Sequence, residues 1–335
     1  MKKYLLPVAV AIFASPVHAS CGSAFCTVNT AWDTQGLASG EGWRVGMRYS
    51  YAKADKLRAG SSKITPEEPS GSDEEIENKR TINQVLNLDA DYTLNARWNI
   101  ALGLPLIRRD HAHTMDSSVS GPFEQQAKFT EVGDIKVVGS YRLNPGSLHS
   151  GSGIRFGLKL PTGATNKKMS PPDPTGDPLD PTAPHPLDRS SQPGSGSTDA
   201  ILGAYYFQNA PGSDWGWFVS GQVQSAIATR DNYRPGSELS LDLGTHYEIA
   251  QGWTALLQLN AQHRERDHGS NANPASGGYS LHLSPGLSYA LSPQTRVYGI
   301  VQIALVQYAN ADPATPGSGQ LTAPWSFSAG LSHHF

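Results

Sequence analysis

The feature that most constrains the fold is an alternation of apolar and polar side chains that recurs in segment after segment of the chain. In residues 43–51, with the sequence WRVGMRYSY, the large apolar side chains take every second place. Successive side chains of a β-strand point to opposite faces, so this rhythm is typical of a strand with one apolar and one polar face. The spacing of an amphipathic helix is hard to find after residue 19. The sequence therefore predicts an all-β protein.

The alternating segments are long. Strands of globular proteins usually have about five or six residues, whereas a tilted strand needs about nine to eleven to cross a bilayer. The segments 200–207 and 296–308 are apolar on both faces and do not reveal which face is inside. Pro285 predicts a bulge or local break in its strand. We predict about twelve strands, near residues 41–53, 80–94, 97–109, 132–143, 152–162, 198–208, 214–229, 237–249, 252–265, 278–290, 294–308 and 322–335.

Short and long connections largely alternate along the chain. Those after every second strand are short, whereas 54–79, 110–131 and 163–197 are long. Transmembrane β-barrels have an even number of strands, short periplasmic turns and longer outer loops. We therefore predict a transmembrane antiparallel up-and-down β-barrel over residues 41–335, with both termini in the periplasm.

Aromatic and charged residues fit this topology. Amphipathic aromatic side chains are favoured where a membrane meets water, and a Lys or Arg on the lipid face near mid-bilayer costs about 2–4 kcal/mol. The charges of the clearly alternating strands all lie on the polar face. A soluble β-sandwich is the alternative, but its strands have no reason to place aromatic residues at matching ends. The predicted periplasmic ring consists of Trp43, Tyr92, Trp98, Tyr141, Trp217, Tyr247, Trp253, Tyr289 and Phe335.

The first 19 residues have the pattern of a bacterial secretory signal peptide: two lysines, a short apolar run and small residues before Ser20. The apolar run is too short to span a bilayer. We expect export, with residues 20–40 forming a periplasmic segment that can enter the barrel as a plug. The formal net charge of -3 gives no reason to expect a nucleic-acid partner.

Cys21 and Cys26 are the two cysteines of the chain. Export implies oxidising surroundings, so a small disulfide loop is the leading interpretation. A soft-metal site, free thiols and lipidation of Cys21 remain alternatives. The spacing matches neither CxxC nor CxxCH.

Several short motifs carry a family resemblance: EVGDIKVVGSYR (131–142), GLKLPTG (157–163), PGSGSTD (193–199) and YRPGSELSLDLGTHY (233–247). Over residues 41–335 the chain resembles the bacterial outer-membrane transporters named for the MetA pathway of phenol degradation. The final strand, ending in Phe335, resembles the C-terminal signature of outer-membrane barrels, which the barrel-assembly machinery reads. The resemblance implies an outer-membrane channel and supplies no catalytic residues.

The polar face of the strands predicts a lumen of mixed charge. We expect passive diffusion of small solutes through this lumen, with loops 54–79 and 163–197 restricting entry and outer-membrane lipid surrounding the barrel. The solute is unknown, and the polar lumen does not fit the hydrophobic compounds that the family name suggests. The alternative is a plugged barrel for metal handling or for docking a periplasmic partner. The candidate selectivity residues are Arg44, Arg48, Asp89, Asp91, Lys136, Arg142, Arg155, Lys159 and Asp242.

A metal site and an enzyme active site have weaker support in the sequence. His111 and His113 lie in a predicted outer loop, where solvated histidines are the simpler interpretation and a metal-binding rim that includes residues 263–268 is the alternative. Ser280, His282 and Ser284 share one strand face, but that face is the lumen and no GxSxG motif is present. We therefore expect no enzymatic activity, cofactor or resident metal.

Overall fold

The computed structural model describes residues 28–37, 40–71, 74–145, 147, 149–172, 185–314 and 318–335. The predicted signal peptide and the candidate disulfide residues Cys21 and Cys26 lie outside this range.

Nearly all regular structure is β. Within the described ranges the helices are two single 3-10 turns, Trp32–Gln35 and Arg189–Ser191, and neither is long and apolar enough to cross a membrane. In chain order the strands are β1 Gly42–Ala54, β2 Lys56–Ala59, β3 Ser62–Lys63, β4 Glu74–Thr93, β5 Trp98–Ser117, β6 Gly121–Val132, β7 Ile135–Arg142, β8 Ser150–Leu160, β9 Thr198–Asn209, β10 Trp215–Ala228, β11 Glu238–Ala250, β12 Trp253–Arg264, β13 Gly278–Ala290, β14 Thr295–Ala309, β15 Gln320–Thr322 and β16 Trp325–His334.

The strands form a closed antiparallel barrel of 12 strands, as the sequence predicts. The first and last strands close it, because β1 pairs with β16 from Arg44 opposite His334 to Ala52 opposite Ser326. The consecutive strands β6 and β7 occupy one position in the wall. Both pair with β5, β6 along its second half and β7 along its first.

The connection 110–131 is not a loop, and this part of the prediction is wrong. β5 continues to Ser117, turns through residues 118–120 and returns as β6. β4 is also longer than predicted and pairs with β5 as far as Glu74 opposite Asp116. These three strands therefore extend as a sheet beyond the neighbouring wall, and we call the part formed by residues 74–83, 108–117 and 121–130 the extension.

The two ends of the barrel differ. The connections 94–97, 143–149, 210–214, 251–252 and 291–294 lie at one end together with the start of β1 and the end of β16, and we call this the turn end. The opposite end, which carries the extension and the longer connections, is the loop end. A small second sheet of β15, β2 and β3 lies there, and packs through Leu57, Leu321 and Ala323 against Ala52 and Ala54 of β1.

The apolar strand faces point outward. Large side chains such as Val219, Val223 and Leu241 are exposed. At the turn end, aromatic residues pair across neighbouring strands, with ring centroids 4.9 Å apart for Trp43 and Tyr92 and 4.6 Å for Trp253 and Tyr289. This arrangement is the one expected of a barrel with an apolar band and an aromatic ring.

Strands β9 and β14 have apolar side chains on both faces because their inner side chains pack inside the barrel. In β14, Tyr298 and Ile300 point inward and are buried, whereas Val301 and Ile303 are exposed outside. In β9, Tyr205 and Phe207 are buried and Leu202 is exposed. The inner apolar residues pack against other side chains inside the barrel, so these two strands need apolar groups on both faces.

Pro285 interrupts hydrogen-bond pairing as predicted, but without a bulge. The β13–β14 ladder pairs Leu283 with Ile303 and resumes with Gly286 opposite Ile300, in the same register. The bulge of this strand pair lies earlier, between Leu281 and His282. It places Leu305 and Val306 of β14 on the outer face together, since both are exposed.

The fold makes a testable distinction between the faces of β10. Val223→Arg should lower the free energy of unfolding in lipid vesicles by about 2–4 kcal/mol, because this outward side chain would place a cation in the apolar band. Gln222→Arg, one residue away on the inner face, is the matched control and should cost less than half as much. Equal losses in urea titrations followed by tryptophan fluorescence would contradict the assignment of faces.

Candidate functional site in the barrel lumen

Residues 28–37 lie inside the barrel on the side of the turn end. Val28 and Trp32 pack with Leu256, Tyr298 and Ile300 of the wall, and the rings of Trp32 and Tyr298 meet edge to face at 4.9 Å. Farther toward the turn end, Asn209 Nδ2 donates to the Gly36 carbonyl at 3.0 Å. The segment therefore contacts opposite sides of the wall through apolar and polar groups.

Asn29 joins this segment to the middle of the lumen. Its Nδ2 donates to Ser220 Oγ at 2.8 Å and to Asp242 Oδ2 at 3.2 Å. Its carbonyl accepts from Gln258 Nε2 at 3.0 Å, and Arg48 Nη1 donates to the neighbouring Val28 carbonyl at 3.3 Å. The predicted lumen residues Asp242 and Arg48 thus both hold the N-terminal segment.

A belt of uncharged polar side chains continues around the wall from Asp242. Asn260 lies opposite Asp242 in the β11–β12 register and donates to Asp242 Oδ1 at 2.7 Å. Ser284 Oγ donates to Asn260 Oδ1 at 2.6 Å. On the next two strands, Ser326 Oγ donates to Gln302 Oε1 at 3.0 Å. The belt spans β10 to β16 and satisfies buried polar groups by contact between neighbouring strands.

Predicted charges near the turn end are paired or cap carbonyls. Arg44 Nη1 lies 3.5 Å from Asp91 Oδ1, and Asn99 Nδ2 donates to the same oxygen at 3.2 Å. Arg142 Nη2 donates to two carbonyls of the β7–β8 turn, with its guanidinium 5.2 Å from the ring centre of Phe207. These residues support the structure of the turn end.

Lys159 is the centre of a buried ionic cluster at the loop end of β7 and β8. Its Nζ lies 2.7 Å from Asp199 Oδ2 and 3.4 Å from Asp134 Oδ2, and it donates to Ser197 Oγ at 3.1 Å. Asp134 also accepts from Ser195 N at 2.9 Å. The cluster joins three motifs of the sequence, 131–142, 157–163 and 193–199.

Two glycines of these motifs touch. A Cβ on Gly163 would lie 2.6 Å from the Gly194 Cα, and one on Gly194 would lie 2.3 Å from the Gly163 carbonyl oxygen. Neither position has room for a side chain, so the two parts of the connection 161–197 can approach this closely at these positions because both residues are glycines. The contact explains the glycines of PTG and PGSG.

Lys136 and Arg155 differ from the other lumen cations. Lys136 Nζ donates to the amide oxygen of Gln224 at 2.9 Å, and the Nε of Arg155 is buried without a hydrogen-bond partner among the described residues. Neither has a carboxylate within 4.0 Å in the described part of the chain. Asp89, on the neighbouring strand β4, is the acidic neighbour of Arg48 on β1.

The connection 185–197 crosses part of the loop end. Arg109, on the inner face of β5, donates through Nε to Asn83 Oδ1 at 2.6 Å and through Nη1 to the Ser191 carbonyl. On the other side, Arg189 stacks over Tyr233 at 5.2 Å. Burial and the nearby Asp267 carboxylate raise the pKa of Tyr233, so its hydroxyl stays protonated and donates to Asp267 Oδ2 at 2.9 Å.

His111 and His113 are not solvated loop residues, which corrects that prediction. Both lie on the part of β5 that belongs to the extension, beyond the barrel wall, and each residue is only 2% exposed. His113 Nδ1 is 3.0 Å from Glu75 Oε1 and 3.2 Å from His111 Nε2. Burial, together with the neighbouring His113, lowers the pKa of His111 to about 3, so its imidazole is neutral at ordinary pH.

Other histidine and serine patterns do not form a site. In residues 263–268, Arg264 Nη2 pairs with Asp267 Oδ1 at 2.6 Å, and in the described ranges the histidines of this segment join no group of potential metal ligands. His282 and Ser284 face the lumen, where Ser284 donates to Asn260. A nucleophile and base pair is therefore absent from this strand within the described structure.

The sequence analysis did not identify the amide and hydroxyl side chains that form hydrogen bonds between neighbouring strands in the lumen. Asn260, Gln302 and Ser284 are recognisable as inward residues from their alternation, but their pairing depends on strand register. Glu75 lies in residues 54–79, which the sequence predicts to be a loop. Its signal is the position at the start of β4, where the β4–β5 register shifts between Ile76 and Arg80 opposite His113.

Comparison with solved structures gives the same architecture. An outer membrane channel from Pseudomonas putida F1 aligns with a TM-score of 0.62 at 12% identity, covering 92% of this chain and 100% of that one. The toluene transporter TodX of P. putida aligns with a TM-score of 0.46 at 10% identity over 90% and 91% of the two chains, and the NanC porin with a TM-score of 0.44 at 10% identity over 87% and 100%. No family model and no curated protein matches the sequence. The predicted resemblance to outer-membrane barrel proteins is confirmed at the level of the fold.

The Lys159 cluster provides a stability test. Lys159→Met should lower the free energy of unfolding by about 3–5 kcal/mol, because it leaves Asp134 and Asp199 as buried carboxylates without their cation. Lys53→Met is the control, since Lys53 forms a more exposed pair with Asp55 at 2.9 Å that should be worth less than about 1 kcal/mol. A loss no greater than that of the control would show that the cluster is solvated.

Proposed function

We propose that this protein is a passive channel for small polar solutes in a bacterial outer membrane. The observation that carries the proposal is a closed barrel with an apolar outer face and a lumen lined by charged and amide side chains. A lipid-embedded wall must satisfy all its backbone groups internally, which a closed sheet does. The outer membrane channel of P. putida has the same fold, and the barrel of this chain is proposed to serve the same general role.

In this proposal the turn end faces the periplasm and the loop end faces outward. Short periplasmic turns and long outer loops are the rule in such barrels, and both ends of the 41–335 barrel lie at the turn end. Phe335 is then the residue offered to the barrel-assembly machinery. Its N–H donates to the Trp43 carbonyl at 2.9 Å while 71% of its side chain remains exposed.

The solute route is proposed to be narrowed at two levels. Residues 28–37 occupy the turn-end side of the lumen, held by Asn29 and Trp32, and the connection 185–197 restricts the loop end through Arg109 and Arg189. Between them, Lys136 and Arg155 contribute positive charge without a carboxylate in direct contact among the described residues, although Glu238 and Asp199 act on Lys136 from a greater distance. A cation row in a confined lumen attracts anions, so the channel should prefer small anions.

The contacts of residues 28–37 also favour a second candidate, a plugged barrel that docks a periplasmic partner. The segment has both an apolar anchor at Trp32 and a polar anchor at Asn29, so the lumen binds it specifically. In that case the barrel conducts only after the segment leaves. The two candidates differ in the conductance of the unmodified protein.

Planar-bilayer recordings separate the candidates. The channel proposal predicts stepwise conductance from the full-length protein and a several-fold larger step when residues 28–37 are deleted, because the deletion widens the lumen. The plug proposal predicts conductance only after deletion. Asn29→Leu with Trp32→Ala should move the wild type toward the deletion without altering the chain length. Absence of conductance from all three proteins would overturn both.

Charge selectivity tests the role of the lumen cations. Lys136→Gln with Arg155→Gln should shift the reversal potential in a KCl gradient toward cations, because two positive groups leave the narrow part of the route. Arg97→Gln removes one charge from an exposed turn-end position and should leave the potential unchanged. Equal shifts in both proteins would show that these lumen residues do not select ions.

A further inference from the structure

The extension contains a group of side chains that the proposed transport route does not use. Glu75 lies at the start of β4, and His111 and His113 lie two residues apart on β5, so that both imidazoles are on one face of the strand. The β4–β5 register shift places extra residues of β4 opposite His113. The bulge brings the Glu75 carboxylate to the imidazoles, which is a common use of bulges.

The distances fit a set of metal ligands. His113 Nδ1 is 3.2 Å from His111 Nε2 and 3.0 Å from Glu75 Oε1, and one donor atom from each residue lies within 4.8 Å of the others. A tetrahedral zinc ion with bonds of about 2.0–2.1 Å holds its ligand atoms about 3.3 Å apart. The three side chains are thus already near the required spacing.

The outer nitrogen of each imidazole has its own partner. His113 Nε2 is 3.0 Å from Gln125 Oε1 on β6, and the Gln125 amide is oriented because its Nε2 donates to the Pro171 carbonyl at 2.9 Å. His113 therefore carries a proton on Nε2. His111 Nδ1 is 2.9 Å from Thr81 Oγ1. Histidine ligands of metals are oriented in this way by a second hydrogen bond.

The inner atoms of the three side chains face one another. His113 Nδ1 lies next to both a Glu75 carboxylate oxygen and the second imidazole nitrogen. A divalent cation bound here would take one atom of each side chain as a ligand, and the nearly complete burial of both histidines would keep water from competing with these ligands.

We propose that Glu75, His111 and His113 bind one divalent transition-metal ion of the Zn²⁺, Co²⁺ or Ni²⁺ class on the loop-end side of the barrel. Two imidazoles and one carboxylate suit these ions, whereas Ca²⁺ and Mg²⁺ prefer oxygen ligands only. The ion would join β4 to β5 in the extension. It would stabilise the outer sheet and has no part in the solute route.

The test uses the full-length, untagged protein, purified in detergent and stripped with a chelator. Equilibrium dialysis against Co²⁺ should give one tightly bound ion per chain. The bound Co²⁺ should show the d–d absorption of a four- or five-coordinate site, and Zn²⁺ should remove that absorption by competition. A wild-type protein that binds no Co²⁺ or Zn²⁺ overturns the proposal.

Variants locate the site. Glu75→Gln and His113→Gln should each weaken binding by more than about tenfold, since even loss of an outer partner of a ligand has that effect. His334→Gln is the control. It removes a histidine from the turn end, where His334 Nε2 is buried without a partner among the described residues. Unchanged binding in the first two variants, or an equal loss in the control, overturns the assignment.

Folding of each variant is checked by the mobility shift between unboiled and boiled samples on detergent gels. If the ligand variants do not fold, X-ray absorption of the wild-type zinc complex decides, because outer-shell scattering counts the coordinated imidazoles. Two imidazoles support the site. None, or sulfur ligands from the cysteines, overturns it.

Discussion

The pairing of the first strand with the last is the interaction on which the rest of the structure depends. An open sheet would leave a row of unpaired N–H and C=O groups at two edges, and hydrocarbon offers them no partner. The β1–β16 ladder removes both edges. Once the sheet is closed, the alternation of side chains fixes two environments, an apolar exterior and a lumen. Every polar residue of the wall then needs its partners inside.

The polar side chains of the lumen find their hydrogen-bond partners through two kinds of contact. Neighbouring strands supply each other, as when Asn260 donates to Asp242 and accepts from Ser284. The N-terminal segment supplies the remainder through Asn29 and covers the inward apolar groups of β14 with Trp32. The wall and residues 28–37 are therefore complementary, and any route for solutes has to pass or displace this segment.

Much of the barrel could be predicted because the alternation of apolar and polar residues shows directly which side chains face outward and which face the lumen. The outward positions of Val219 and Leu241 follow from sequence alone. Residues 110–131 were wrongly predicted to be a loop because an extension beyond the apolar band of the barrel needs no apolar outer face, so its strands lack the apolar stripe. The links between Asp242, Asn260 and Ser284 depend on register, which alternation leaves open. The apolar character of the inward residues Tyr298 and Ile300 is explained only by residues 28–37, which lie against them.

Closure of the barrel is tested most directly by a disulfide between β1 and β16. Ser50 and Ser328 lie opposite each other, with their Oγ atoms 2.8 Å apart. In a chain with Cys21 and Cys26 replaced by Ser, the pair Ser50→Cys and Ser328→Cys should cross-link in isolated outer membranes. Ser50→Cys with Ser220→Cys, on a distant strand, should not. Efficient cross-linking of the distant pair, or none of the neighbouring pair, would contradict the closed barrel.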